Sequence, residues 1–319
     1  MWAFLFLWSI LTMATFLMIV GRCTILIYFV FCGPILLSIL YFIFKNDTSL
    51  SNENRELFFK NLNFGGHRGS PQRAPENTIA SFQKAKEDRC DFVEFDVHMS
   101  ADGVPLIIHD DTTERTGNMN LKIGQATWQQ IKSVDLKTVN NVAAKIPKLS
   151  EAIEWCMKNN LKMLLDMKDD NKKLMEAVAN EIRERNLYDK VMVSSFNPLV
   201  PWTLKKIDQR IITDDHRQSP FSTNFIVHFW NEILDEINMI IQPLYILPRF
   251  LGVDVVMISF RLISENIVRE SKEKGFSVIS WTVNDSDYMR ILARLGVPFL
   301  TDVSSEVDWN NLKTTGKLT

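Results

Sequence analysis

The chain has 319 residues, enough for one large domain or two small ones, and its apolar content of 46% is concentrated toward the N-terminal end. A formal charge of −2 gives no electrostatic case for nucleic acid as a partner. Cys23, Cys32, Cys90 and Cys156 match neither a zinc spacing nor a disulfide framework, so they read as free, packed thiols.

Residues 2–20 carry no charge, Gly21 and Arg22 interrupt, and residues 23–44 are again uncharged. Each run reaches the ~20 residues needed to cross ~30 Å of hydrocarbon, which predicts an N-terminal transmembrane segment over 1–44. Two helices joined by a tight turn fit first. One long tilted helix, or one helix with an interfacial one, fits as well. No basic stretch precedes the first run, which argues against a cleaved signal peptide. An integral membrane protein of the plasma membrane or an endomembrane is expected. Lys45, Arg55 and Lys60 outnumber Arg22, so two crossings point to a cytosolic domain and one crossing reverses that.

Residues 45–61 read as a polar linker without apolar periodicity. From residue 62 to 319, short apolar runs alternate with amphipathic ones. Strands are predicted near 62–66, 91–97, 161–167, 190–195, 210–214, 254–259, 276–283 and 298–301, with helices at 77–88, 171–186, 198–208, 264–274 and 285–295. Strands alternating with helices in this number specify an α/β (β/α)8 TIM barrel. After the second strand the turn ADG and the run VPLIIHD give a β-hairpin excursion over 98–109. Residues 221–252 break the alternation. Asn224, His228, Asn231 and Asp235 recur at helical spacing opposite Phe225, Phe229, Trp230 and Ile233, which makes an amphipathic insertion lying on the membrane, over the site mouth, or on the barrel flank.

Chemistry gathers between residues 64 and 110. Glu94 and Asp96 share one face of a strand, roughly 6.6 Å apart at Cα, while Val93, Phe95 and Val97 face the other way. The hairpin returns His109 toward them. On LKMLLDMK, Asp166 and Lys168 share a face. Glu94, Asp96 and Asp166 thus form an all-oxygen set suited to a hard divalent cation, Mg²⁺ first and Ca²⁺ as the alternative. Three carboxylates, one dication and one phosphodiester leave about −2, which Arg68 and Lys168 cancel. His67 and His109 are the candidates for proton transfer, and Trp281 is a candidate pocket wall. His98 reads as structural, His216 and His228 have no motif, and Asn77 reads as a helix N-cap.

GHRG, APENT, EFDVHMSADGVPLIIHD, a D-x-K strand, SSF, SWTVN and a closing LTD, in that order, resemble the glycerophosphodiester phosphodiesterase family across residues 65–302. The apolar N-terminal run and the late apolar interval are similar to its membrane-bound animal branch, which includes enzymes acting on glycerophosphoinositol. The resemblance implies a TIM barrel, a divalent metal, and hydrolysis of glycerophosphodiesters to glycerol 3-phosphate and an alcohol. It assigns metal binding to Glu94 and Asp96, acid–base work to His67 and His109, and phosphate contact to Arg68 and Lys168. Many members carry glutamate where this chain has Asp166, and the threonine- and glycine-rich run after HDD is thinned here to TTERTGNMN. Rival expectations are the same hydrolysis of lysophospholipids or N-acyl glycerophosphoethanolamines drawn from membrane lipid, and a non-catalytic membrane scaffold.

Overall fold

The computed structural model describes residues 9–16, 24–217 and 245–314. The chain divides into two compact units, 1–46 with 219–250, and 47–218 with 251–319. In the first, residues 9–16 are helical and α1 (Thr24–Phe44) is a single 21-residue helix with Pro34 in its interior. Described side chains of α1 begin at Cys32, and among the described residues no helix is long and apolar enough to cross a membrane. Residues 17–23 and most of the expected 221–252 insertion lie outside the described residues, as does His228. The end of that interval, Ile246–Leu251, is a short helix.

In the second unit, nine strands form one sheet. They are β1 (Phe64–Gly66), β2 (Phe92–Met99), β3 (Pro105–Ile107), β4 (Lys162–Met167), β5 (Val191–Ser194), β6 (Ile212–Arg217), β7 (Val255–Ser259), β8 (Ser277–Trp281) and β9 (Phe299–Thr301). All but β3 are parallel, and β1 pairs with both β2 and β9, so eight parallel strands close into a barrel. The strand positions agree with the expected ones to within a few residues. The reason is periodicity: β2 is buried along its whole length, as a parallel strand covered on both faces must be. Its Phe92 joins the inner core with Leu164, Met192, Ile212, Val255, Ile279 and Leu300. Phe95, on the opposite face, packs 5.3 Å from Phe82 of α3 (Ile79–Glu87).

The expected hairpin is present. β3 runs antiparallel to β2 in the register Val97 to Ile107, and the Ile108 N–H donates to Asp96 O at 3.0 Å, which delivers His109 to the carboxylates. The excursion is larger than a hairpin, because Leu106, Ile108, Ile123, Ile131, Val134 and Ile146 build a small core of their own.

The stretch read as a linker contains α2 (Asn52–Phe59). Phe58 is completely buried in the inner core beside Phe92 and Val255, and so plugs the N-terminal end of the barrel. Local pattern hides this helix because distant residues hold it. The Lys162 ammonium donates to Leu57 O, Phe58 O and Lys60 O at its C-terminus, where a cation offsets the unpaired carbonyls. At the other end Ser51 donates to Asp254.

Candidate active site

The C-terminal ends of the strands converge on a cavity of about 410 Å³ lined by His67, Arg68, Glu94, His109, Asp166, Lys168, Phe196 and Trp281, among others. Register explains the convergence. Asp96 pairs with Asp166 across β2 and β4, so the inward face of two adjacent strands carries Glu94, Asp96 and Asp166. Each offers an oxygen, and these oxygens lie within 4.8 Å of one another, all three residues being buried.

Close carboxylates repel, and the surroundings apportion the charge. Burial, then the neighbouring Asp96, pushes the Glu94 carboxyl up to about 7. Burial acts the same way on Asp96, but Lys168, His109 and Arg68 outweigh it and hold that carboxyl below its usual range. The Lys168 ammonium donates to Asp166 Oδ2 at 2.5 Å and sits 2.8 Å from Asp96 Oδ1, so a protein cation already bridges two of the three acids. Burial disfavours that charge, yet the two acids raise the Lys168 pKa overall.

Buried Asp166 Oδ1, an acceptor, has no hydrogen-bond partner here, and buried Arg68 Nε, a donor, has only a 3.5 Å ion-pair contact with Asp96 Oδ2. Such an orphan is costly unless a ligand completes it. An unpaired carboxylate oxygen within an all-oxygen triad fits a hard divalent cation, and a guanidinium N–H held only by a long ion pair fits an anionic oxygen. The residues therefore suit the divalent ion that the sequence implied.

Arg68 is held in a left-handed backbone conformation, φ 55°, which turns its N–H onto Glu94 Oε2 at 2.7 Å. The turn is tight: a Cβ on Gly66 would fall 2.0 Å from Gly69 O. The Arg68 side chain donates to Glu76 at 3.0 Å and lies 3.5 Å from Asp96.

Each histidine is gripped at Nδ1 by a carboxylate. His67 Nδ1 is 2.7 Å from Asp302 Oδ1, with Nε2 3.9 Å from Glu94. His109 Nδ1 is 2.6 Å from Asp110 Oδ1. Burial would lower the His67 pKa, but the Asp302 bond and the Glu94 charge outweigh it and raise it. For His109, burial prevails over Asp96 and Asp110 and the pKa is lowered. Two imidazoles facing one cavity are thus biased to opposite protonation states.

The structure brings together every expected site residue: His67, Arg68, Glu94, Asp96, His109, Asp166, Lys168 and Trp281. Trp281 stands edge-on to Phe196 with centroids 5.6 Å apart, and Lys168 lies over the Phe196 ring. His98 is buried away from the cavity, bonded to His109 O and Asp169. One expectation is corrected. Asn77 is not the N-cap of α3; Thr78 is, through its bond from the Ser81 N–H, because a reciprocal Thr–Ser box satisfies the helix end. Asn77 instead donates from Nδ2 to Asp96 Oδ2 at 2.7 Å and accepts the Asp96 N–H, at a φ of 58°. Asp302, Asp110, Glu76 and Arg115 also went without a role in the sequence. Asp302 had a signal, its place beside Asn284 at a strand end; Asn284 donates to it at 2.7 Å.

Fold and site together define a parallel-barrel enzyme whose mouth pairs an acidic triad with basic side chains and two oppositely poised histidines. Its lineage is equally definite. The chain belongs to the glycerophosphoryl diester phosphodiesterase family, which it matches over residues 67–304. Glycerophosphodiester phosphodiesterase 1 from Homo sapiens is 29% identical over 253 residues, covering 74% of this chain and 76% of that protein. The Bos taurus protein of the same name is 30% identical over 254 residues, with the same coverage. A phosphodiesterase from Oleispira antarctica, solved in complex with the product sn-glycerol-3-phosphate, shares the fold with a TM-score of 0.61 at 24% identity, covering 80% of this chain and 98% of that one.

Proposed function

We propose that this chain hydrolyses water-soluble glycerophosphodiesters, glycerophosphoinositol among them, to glycerol 3-phosphate and an alcohol, with one divalent cation, Mg²⁺, held by Glu94, Asp96 and Asp166. The observation that carries this reading is the acidic triad within 4.8 Å, with the orphaned Asp166 Oδ1 inside it. The glycerol 3-phosphate bound to the Oleispira antarctica enzyme supports the same product here.

A bound dication supplies electrostatic stabilisation of the phosphoryl oxygens. Arg68 and Lys168 bind the diester anion and balance charge as it builds on those oxygens. His109, kept neutral by its lowered pKa and with Nδ1 committed to Asp110, presents Nε2 to take a proton from the attacking hydroxyl, either water or the glycerol hydroxyl of the substrate. His67, kept charged by Asp302, gives its proton to the departing alcohol oxygen. Trp281 and Phe196 wall the side of the cavity where the alcohol group lies.

A panel of glycerophosphodiesters and lysophospholipids, assayed in detergent with the full chain, tests the substrate class. Faster turnover of the deacylated diesters is the expected result; preference for acylated substrates overturns it. The uncharged sequence runs 2–20 and 23–44 support anchoring of the chain in a membrane, for which retention in the pellet after alkaline carbonate extraction is the expected outcome and release the contrary one.

A further inference from the structure

The loop after β3 holds an arginine that no step of the proposed chemistry uses. Arg115 is half-exposed, yet it makes four charge-assisted bonds. Nε and Nη2 donate to Asp110 Oδ2 and Oδ1 at 2.6 and 3.0 Å, while Nη1 and Nη2 donate to Glu76 Oε2 and Oε1 at 2.9 and 2.7 Å. A planar guanidinium in two bidentate grips fixes both partners in direction as well as distance.

Neither carboxylate is incidental. Asp110 is the acid on His109 Nδ1, and Glu76 is the acid on the Arg68 side chain. The two lie on different loops, one after β3 and one after β1, and both reach the same Arg115 nitrogen. The backbone beneath is also fixed. The Lys137 ammonium donates to Glu114 O and Arg115 O at 3.1 and 2.8 Å, and the Gly117 N–H closes onto Thr113 O at 2.6 Å. A Cβ on Gly117 would meet Val134 at 2.7 Å, so the loop sits hard against the small core below it. The Arg115 bond is the first cause of the low pKa of Asp110, about 2, which keeps that acid ionised behind the imidazole.

We infer that Arg115 is a positioning residue that ties His109 and Arg68 into one rigid unit, through Asp110 and Glu76. This inference rests on the acid–base and anion-binding roles given above. Because Arg115 touches no reacting atom, its loss acts by letting two imperfectly held groups drift, and an error of about 1 Å in such groups costs about 10²-fold in rate.

The test compares the full-length wild-type chain with Arg115→Met and Arg115→Lys, read two ways. In steady-state kinetics on a glycerophosphodiester, Arg115→Met is expected to lower kcat by about 10–10²-fold with an unchanged melting temperature, and Arg115→Lys to recover only part of the loss because an ammonium cannot make the double fork. Combining Arg115→Met with Asp110→Asn is expected to cost no more than the worse single change, since both remove one support. The second reading needs no turnover. With ¹⁵N-histidine labelling of the five histidines, His109 shows one tautomer in the wild type and a mixture in Arg115→Met. Wild-type kcat in Arg115→Met, full additivity with Asp110→Asn, or an unaltered His109 tautomer overturns the inference. A wild-type chain that turns over no glycerophosphodiester refutes the proposed function instead, and the nitrogen spectra still decide on Arg115.

Discussion

The two ends of the barrel bury the same kinds of residue to opposite effect. At the N-terminal end, Lys205 and Asp254 are fully buried and 2.7 Å apart, and every remaining bond is made within the protein. The ammonium also donates to Ser51 Oγ and Gln209 O, and Asp254 accepts from Ser51 and from the Thr213 N–H. At the C-terminal end three carboxylates face two cations, and an acceptor on Asp166 has no hydrogen-bond partner. Burial and charge are therefore not what distinguish a site. A carboxylate oxygen left without a partner inside the charged cluster is.

The contrast is broken most severely at the mouth. Replacing His109 or His67 by Ala is expected to lower turnover by about 10²–10⁴-fold with the melting temperature unchanged, in steady-state assays paired with thermal denaturation. A variant retaining wild-type rates removes that imidazole from the mechanism. At the floor the sign of the experiment reverses. Lys205→Met strands a buried carboxylate and is expected to cost about 3–5 kcal/mol of stability, as is Phe58→Ala through the cavity it leaves, with kcat per folded molecule preserved in both. Denaturant melts with active-site titration separate the two quantities; loss of kcat in the folded fraction would erase the distinction between the ends.

A smaller effect sharpens it further. With Mg²⁺ saturating, so that Glu94 is held ionised, His109 must be neutral and its pKa is lowered, so kcat/KM falls as pH drops through a value below 6.5. His67 must be protonated and its pKa is raised, so the rate falls as pH climbs through a value above 6.5. A plateau straddling 6.5 is expected in a pH profile; a narrow peak there would mean that the two imidazoles are not pushed apart.

Barrel and triad were legible because both are written in short-range pattern. Alternating polar and apolar residues mark β2 within a strand buried throughout, and the same period puts Glu94 with Asp96 and Asp166 with Lys168 on inward faces. The supports were not legible, because their partners are remote in sequence. α2 shows no apolar stripe, since Lys162, Asp254 and the barrel core hold it. Asn77 looks like a cap until β2 folds against it. Arg115 falls in the thinned run TTERTGNMN, and its meaning depends on Glu76, a residue of another loop.

The central claim is that three acids from two adjacent strands form one cation site on which turnover depends. Calorimetric titration of Mg²⁺ into the EDTA-treated full chain, run alongside the phosphodiesterase assay, tests it most directly. One ion per chain, activity rising in step with occupancy, and loss of both in Asp166→Asn are the predicted results. Full turnover by the metal-free chain, or unchanged Mg²⁺ binding by Asp166→Asn, would contradict it.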